Sequence, residues 1–225
     1  MRLSFVITGS IMVLGGQVFA EVGSAVKLSR SQRIEDRTFP SVFQAWSPAT
    51  NLPTEPKDVT LARHDLIWSS PQFFGLVWNH DYKGLADDFT PESVTKAVAF
   101  RHKLLQLNPH IVLLAEIRYR DAHKSYLPEG HKWWLRDKQG QIVPGWQEGR
   151  FLCLDFHNPE FREQVAKQCR AVARSGVVDG VMLDGWSDDP SRLALVREVR
   201  HAIGEKAIII ANANDRAVSN LNRNR

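Results

Sequence analysis

The stretch VVDGVMLDGWSDDP, residues 177–190, has the pattern of a buried strand that ends in a carboxylate. Apolar and small residues lead into Asp184, and Gly185 and Trp186 follow it directly. A carboxylate beside apolar side chains is costly if it stays buried and unpaired, so its position indicates a function. Gly185 would let the chain turn after the strand, and Trp186 would form a wall beside the carboxylate.

Four other short apolar runs have the same character. They are rich in Val and Ile and nearly continuous in apolarity, which is typical of strands in parallel sheets that helices cover. A further apolar run at residues 73–78 fits either a short strand or a loop that packs on the sheet. The four runs lie at residues 41–46, 65–70, 110–118 and 207–214.

Helical segments with clear starts separate these runs. Each begins with a capping residue followed by Pro at the first helical position, where the missing backbone N–H is not needed. Pro109, Gly176 and Gly204 mark where they should end. The alternation of strand and helix predicts an α/β fold built of βαβ units. The three starts are Thr90–Pro91, Asn158–Pro159 and Asp189–Pro190.

Residues 119–157 carry Gly, Pro, Trp and charged residues instead of a strand or helix pattern. We interpret this segment as a long loop after the third strand, with one small hairpin at residues 137–143. A loop of this length inside a compact domain is usually functional.

Three strands end in polar residues that share one predicted face. Side chains alternate across a strand, and the residues of opposite parity are small and apolar, as expected under a covering helix. Glu116, Asp184 and Asn212 would therefore meet at the carboxyl edge of the sheet, where parallel barrels and open α/β sheets both bind ligands. Arg118 has the same parity as Glu116. Asp179 lies at the start of its strand and fits a structural role.

Carboxylates at the mouth of a barrel suit cleavage of glycosidic bonds, which requires one carboxyl as acid and another as nucleophile or base. The seven tryptophans fit the same chemistry, because apolar sugar faces stack on aromatic rings. We expect Trp46, Trp68 and Trp186 to contact the substrate, since each lies at or just after a strand end. Asp155 fits either a cap of the following helix or a ligand contact.

Other chemistries lack their motifs in this sequence. It contains no Walker phosphate loop, no G-x-G-x-x-G, no G-x-S-x-G and no H-E-x-x-H. The histidines show no ligand spacing, and two cysteines are too few for a cysteine-rich zinc site. Cys153 and Cys169 fit either a disulfide or free thiols, of which Cys169 would be buried in a helix. We therefore expect no cofactor and no metal.

The first twenty residues have the layout of a secretory signal peptide. Arg2 precedes an apolar stretch at residues 5–16, and cleavage would follow Ala20; an uncleaved membrane anchor is the alternative. We expect a secreted or periplasmic protein without membrane contact. The net charge of +4 is modest and spread out, so no nucleic-acid partner is expected. The expected divisions are a signal peptide (1–20), a polar leading segment (21–40) and a barrel domain (41–225).

Several motifs resemble those of bacterial glycoside hydrolases with a TIM-barrel fold. LCLDFHNPEFREQVAKQCRAV (152–172) precedes GVVDGVMLDGW (176–186), as LD-x-x-NP-x-(F/V)R precedes a DG-(V/I)-x-x-D strand in those families. WWLRDKQGQIV (133–143) resembles their W-x-L-(K/R)-D-x-x-G loop. The resemblance covers roughly residues 40–215. It implies that Asp184 is the nucleophile, and it places Glu116 in the cleft.

A barrel of this type needs eight strands and usually about 250 residues. Five strands are evident, so we expect an incomplete (β/α)8 barrel of about five βα units, shortened at its C-terminus. The expected function is a glycoside hydrolase acting on a poly- or oligosaccharide. Asp184 would be nucleophile or electrostatic stabiliser and Glu116 the acid/base, while Asn212 and Arg118 would bind sugar hydroxyls. The alternatives are a non-catalytic carbohydrate-binding remnant of such a barrel and a metal-dependent hydrolase on the same scaffold.

Overall fold

The computed structural model describes residues 28–36, 38, 41–45, 54–146 and 149–213. Its strands lie close to the predicted positions, each one to three residues shorter at either end. Two short strands, at residues 121–123 and 151–153, were not predicted. In chain order the strands are β1 (Phe43–Ala45), β2 (Leu66–Ser69), β3 (Val112–Glu116), β4 (Asp121–His123), β5 (Phe151–Cys153), β6 (Gly180–Asp184) and β7 (Ile208–Asn212).

The predicted helices are confirmed, and two of the three predicted capping side chains form their bonds, whereas the Thr90 side chain makes no capping bond. The Asn158 side chain accepts a hydrogen bond from the backbone N–H of Glu160, and that of Asp189 accepts from the N–H groups of Ser191 and Arg192. Two shorter helices precede them, and they are too short to show a periodic pattern in the sequence. The helices are α1 (Arg30–Ile34), α2 (Lys57–Ala62), α3 (Pro91–Leu107), α4 (Pro159–Arg174) and α5 (Pro190–Ile203).

The main sheet has the strand order β1-β2-β3-β6-β7, and every neighbouring pair is parallel. The crossovers run through α2, α3, α4 and α5 in turn. All four helices pack on the same face, because one continuous apolar core joins their side chains to Ile67, Leu113, Ala115 and Val181. A sheet that advances strand by strand with its helices on one side is a barrel segment, whereas an open doubly wound sheet has helices on both faces. The prediction of about five βα units of a (β/α)8 barrel is confirmed.

The opposite face of the sheet, which lines the inside of a barrel, carries a small apolar cluster. Its buried members alternate with the core residues along each strand, as the period of a strand requires. Ile208 and Ile210 of β7 pack against it and are only partly buried. The cluster consists of Trp68, Val112, Leu114 and Met182.

Asp179 anchors the start of β6 in the way the sequence suggested. Its carboxylate is 2% exposed and pairs with the guanidinium groups of Arg33 in α1 and Arg101 in α3. It also accepts the backbone N–H of Leu113 at 3.0 Å. The Asp179 pKa is low because these two arginines outweigh the opposing effect of burial. Arg33 thus ties the leading segment, predicted to be a polar arm, to the base of the sheet.

The long segment after β3 is more ordered than a simple loop. Its ends come together as β4 and β5, an antiparallel pair in which Asp121 lies opposite Cys153. The predicted small hairpin is present, with a bridge between Arg136 and Ile142. Residues 73–78 follow the loop alternative, since they form a 3-10 turn (Pro71–Phe74) and a single bridge from Trp78 to Phe89.

The predicted leader at residues 1–20 lies outside the described residues. Among the helices that the structure describes, none combines the length and the apolar character needed to cross a bilayer. Cys153 and Cys169 are both free thiols, so the disulfide alternative does not apply. Cys169 is buried in α4, and burial raises its pKa.

Candidate active site

The polar ends of three strands meet at the carboxyl edge of the sheet, on the face that lines the barrel interior. Asp184 is the register partner of Asn212, and Glu116 is the partner of Met182. From strand spacing and rise, the Cα atoms of Glu116 and Asp184 are about 8 Å apart. The two carboxylates line one narrow crevice at this edge.

Asp184 is held from two sides. Its Oδ1 accepts a hydrogen bond from Asn212 Nδ2 at 2.8 Å. The backbone after it is fixed as well, because Trp186 N–H donates to Asn212 O at 2.7 Å and the Tyr119 hydroxyl donates to Gly185 O at 3.1 Å. Its side chain is 19% exposed, so solvent reaches the carboxylate.

Glu116 occupies a more enclosed position and is 7% exposed. Burial raises its pKa, and the charges of Asp184 and Asp121 act in the same direction, against the opposing effect of Arg118 and Arg120. Arg118 Nε lies 3.1 Å from Glu116 Oε1, yet this ion pair is too poorly aligned to count as a hydrogen bond. The surroundings of Glu116 therefore favour its neutral form more than water does.

Two further charged residues complete the site, and the sequence reasoning did not identify them. Asp121, on β4, is 4% exposed and lies between Arg118 and Arg120. Arg120 Nη2 also lies 3.8 Å from Asp184 Oδ2. A side chain at Gly185 would collide with this guanidinium, since a Cβ there would lie 2.2 Å from Arg120 Nη1. The signal in the sequence is the alternation of charge in EIRYRD, residues 116–121, beyond the end of the strand.

A cavity of about 240 Å³ opens beside Glu116 and Arg118. Phe151 of β5 forms part of the cavity wall. The Arg118 guanidinium lies over the Phe151 ring, 5.5 Å from the ring centroid. Trp146 packs edge to face against Phe151, with ring centroids 5.7 Å apart, and is 60% exposed. An exposed indole beside a polar cavity suits stacking on a flat apolar ligand face.

Two of the predicted substrate-binding tryptophans are buried instead. Trp186 is 2% exposed within the main core, and Trp68 is 4% exposed in the small interior cluster. Rings so enclosed offer no face to a sugar, so the predicted stacking of Trp68 and Trp186 on the substrate does not fit their burial. Trp46 lies outside the described residues.

Of the two remaining residues predicted to contact a ligand, Arg118 lies in the cavity and Asp155 lies in the turn before α4. Arg118 lines the cavity, with its guanidinium shared between Glu116 and Asp121. Asp155 accepts the backbone N–H of His157 at 3.2 Å and so organises the turn before α4. Asp155 therefore does not cap α4, whose capping bond comes from Asn158, and its alternative role as a ligand contact stays a prediction.

Metal ligation finds no support among the residues that the structure describes, where no group of three His, Cys, Asp or Glu side chains is arranged to hold an ion. The charged cluster contains two arginines, each of which contacts two of its three carboxylates.

No protein-family model matches this sequence, and no curated protein matches it. Solved structures do match its fold. A noncanonic maltogenic alpha-amylase from Thermotoga neapolitana has a TM-score of 0.50 at 18% identity, over 76% of this chain and 45% of the amylase. An alpha-amylase from Lactobacillus plantarum has a TM-score of 0.51 at 15% identity, over 76% of this chain and 44% of the amylase.

An alpha-galactosidase from Thermus thermophilus, solved with stachyose, has a TM-score of 0.50 at 16% identity, over 78% of this chain and 40% of the galactosidase. At these identities the likeness establishes the fold: the chain is a TIM-barrel-type α/β protein of the architecture found in glycoside hydrolases. It spans less than half the length of each of these neighbours.

Proposed function

We propose that this barrel edge is the active site of a glycoside hydrolase, with Glu116 as general acid/base and Asp184 as nucleophile or electrostatic stabiliser. The observation that carries the proposal is the pair of carboxylates on neighbouring strands in unequal surroundings. Glu116 is buried with a raised pKa, while Asp184 reaches solvent and accepts from Asn212. Such a difference in environment is how one carboxyl becomes a proton donor beside another that acts on the sugar.

The reaction would use the two residues in sequence. Protonated Glu116 would donate its proton to the glycosidic oxygen as the bond to the leaving group breaks. Asp184 would stabilise the positive charge that develops on the sugar ring, or bond to it covalently. Glu116, then ionised, would draw a proton from the water that completes hydrolysis. Arg118 and Asn212 lie where they could hydrogen-bond sugar hydroxyls.

The cavity and the fold neighbours support the proposed substrate class. Alpha-amylases and an alpha-galactosidase share the fold, which supports a glycoside as substrate. The cavity of about 240 Å³ is polar on the Glu116 side and aromatic at Phe151, whose ring contacts that of Trp146. We propose a poly- or oligosaccharide substrate. We also propose that residues 1–20 direct export, so that the protein meets this substrate outside the cytoplasm.

The experiment is a hydrolysis screen with a panel of 4-nitrophenyl glycosides. Wild-type protein should release nitrophenol from at least one of them, and Asp184→Asn and Glu116→Gln should each reduce the rate about a hundredfold or more. The matched control is Asp188→Asn, an exposed carboxylate on the same loop, which should retain the wild-type rate.

Two other outcomes point to the alternative functions. Retention of an oligosaccharide on the protein with no turnover of any glycoside would indicate a carbohydrate-binding module. Loss of activity in EDTA with recovery on adding a divalent ion would indicate a metal-dependent hydrolase.

A further inference from the structure

We propose that Asp121 is a positioning residue that couples the two candidate catalytic carboxylates through Arg118 and Arg120. The inference rests on the proposed function, because a role in controlling Glu116 matters for catalysis only if Glu116 transfers a proton. The physical coupling itself can be tested without any substrate.

The geometry forms a continuous chain of alternating charge. Arg118 Nε lies 3.1 Å from Glu116 Oε1, and its Nη1 lies 3.6 Å from Asp121 Oδ1. On the other side Arg120 Nη2 donates to Asp121 Oδ2 at 3.2 Å and lies 3.8 Å from Asp184 Oδ2. Asp121 thus occupies the centre, with one arginine and then one candidate catalytic carboxylate on either side.

Two residues of the long segment between β4 and β5, Gly145 and Trp146, fix Asp121 in that place. The backbone N–H of Trp146 donates to its Oδ2 at 3.3 Å. Gly145 lets this backbone approach, because a Cβ there would lie 2.9 Å from Asp121 Cβ and 3.3 Å from its Oδ2. Glycine is thus required at position 145 for the contact. Asp121 is 4% exposed, so both arginines meet a carboxylate that is largely shielded from solvent screening.

The charge balance explains what Asp121 contributes. Three carboxylates and two guanidinium groups leave one negative charge in excess, and a single proton cancels it. Glu116 is the most enclosed member next to the cavity, and its pKa is raised. Without Asp121, both arginines would act on Glu116 and Asp184 alone and would favour ionised Glu116. Asp121 pairs with both arginines and so favours the neutral form of Glu116.

Two other charged or titratable groups line the same cavity as Glu116. They are Lys83, on the 3-10 turn Lys83–Leu85, and His123 of β4. Both groups are present in wild-type and variant proteins, so the comparison of variants changes only the charge at position 121.

The experiment is a carboxyl-carbon NMR titration of Glu116 in the full chain, with and without Asp121→Asn. The substitution removes a nearby negative charge and releases Arg118 toward Glu116, and both changes favour ionised Glu116. We expect its midpoint to move to lower pH. Asp188→Asn, on the exposed loop after β6, should leave the midpoint unchanged. An unchanged or higher midpoint in Asp121→Asn would overturn the proposal.

A second variant covers the case in which Asp121→Asn does not fold. Arg118→Gln keeps Asp121 but removes the arginine between Asp121 and Glu116, so the Glu116 midpoint should move to higher pH. An unchanged midpoint would show that this row of charged side chains does not control Glu116.

The activity measurement separates this inference from the proposed function. If a glycoside is hydrolysed, Asp121→Asn should move the alkaline limb of its kcat/KM profile to lower pH and so reduce the rate at pH values on that limb. A purely structural role would lower the rate at all pH values without moving that limb, and this result would overturn the inference. If the titration shifts as expected but no glycoside is turned over, the coupling stands and the glycosidase proposal fails.

Discussion

Asn212 Nδ2 donates a 2.8 Å hydrogen bond to Asp184 Oδ1, across a register pair of the two neighbouring strands β6 and β7. The bond fixes one oxygen of Asp184 and leaves the other facing Arg120. Because β-strand register places the two residues side by side, the contact is a property of the barrel edge and not of a loop. It gives Asp184 a defined orientation toward the interior.

Removing that bond should impair catalysis more than stability. A partly exposed hydrogen bond contributes about 0.5–1.5 kcal/mol to stability, so Asn212→Ala should lower the free energy of unfolding by about 1 kcal/mol. The loss of a fixed orientation of Asp184 should lower kcat/KM by about ten- to a hundredfold. Steady-state kinetics and urea denaturation measure the two effects. The matched control is Asn108→Ala, which loses bonds to Ala62 O and His64 O and should reduce stability with unchanged kcat/KM. The opposite pattern would contradict the role of Asn212.

The raised pKa of Glu116 should make stability depend on pH. The folded state holds the Glu116 proton to higher pH than the unfolded state does, so the folded form binds more protons in the interval between the two pKa values. The free energy of unfolding should therefore fall as pH rises through that interval, starting at the ordinary glutamate range. Urea unfolding of wild type and Glu116→Gln across pH 4–8 tests this, and the glutamine variant should lack this component of the slope. Parallel curves for the two proteins would contradict the raised pKa.

Asp179 should matter for folding and not for chemistry. It is buried between Arg33 and Arg101 at the opposite end of its strand from Asp184. Asp179→Ala leaves two guanidinium groups without their buried partner, and such a break costs about 3–5 kcal/mol. Thermal unfolding should show a large loss of stability. If the variant is as stable as Asp188→Asn, the ion-pair anchor is not important for the fold.

Trp146 should contribute to sugar binding without contributing to the core. Its ring is 60% exposed beside Phe151, so Trp146→Ala should raise KM for an oligosaccharide about tenfold and leave the unfolding midpoint nearly unchanged. Trp134→Ala is the matched control. That ring is fully enclosed, and its removal should cost about 3–5 kcal/mol of stability. An unchanged KM in Trp146→Ala would exclude the stacking role.

Most of the fold could be predicted from the sequence because its signals are local. Apolar runs mark the parallel strands, and the pairs Asn158–Pro159 and Asp189–Pro190 mark helix starts whose caps form as expected. Parity along each strand also placed Glu116, Asp184 and Asn212 on the interior face. These features depend on the geometry of one strand or one helix end.

The rest depends on contacts between distant parts of the chain. β4 and β5 are three residues each and pair across a long loop, so neither carries a pattern that reveals the pairing. Asp121 begins β4 and is held in the site by the backbone N–H of Trp146, 25 residues away. Trp186 follows a strand end, but nothing in its neighbourhood in the sequence shows that the covering core encloses its ring. Arg33 likewise reaches Asp179 across more than a hundred residues.

The proposal that Asp184 acts on the sugar has a direct chemical test. The measurement is the turnover of an activated aryl glycoside by Asp184→Ala, with and without added sodium azide. We expect a loss of about a thousandfold or more, the scale of a principal catalytic group, and partial recovery when azide occupies the space of the lost carboxylate. Turnover by Asp184→Ala at close to the wild-type rate, without azide, would contradict the central role of Asp184.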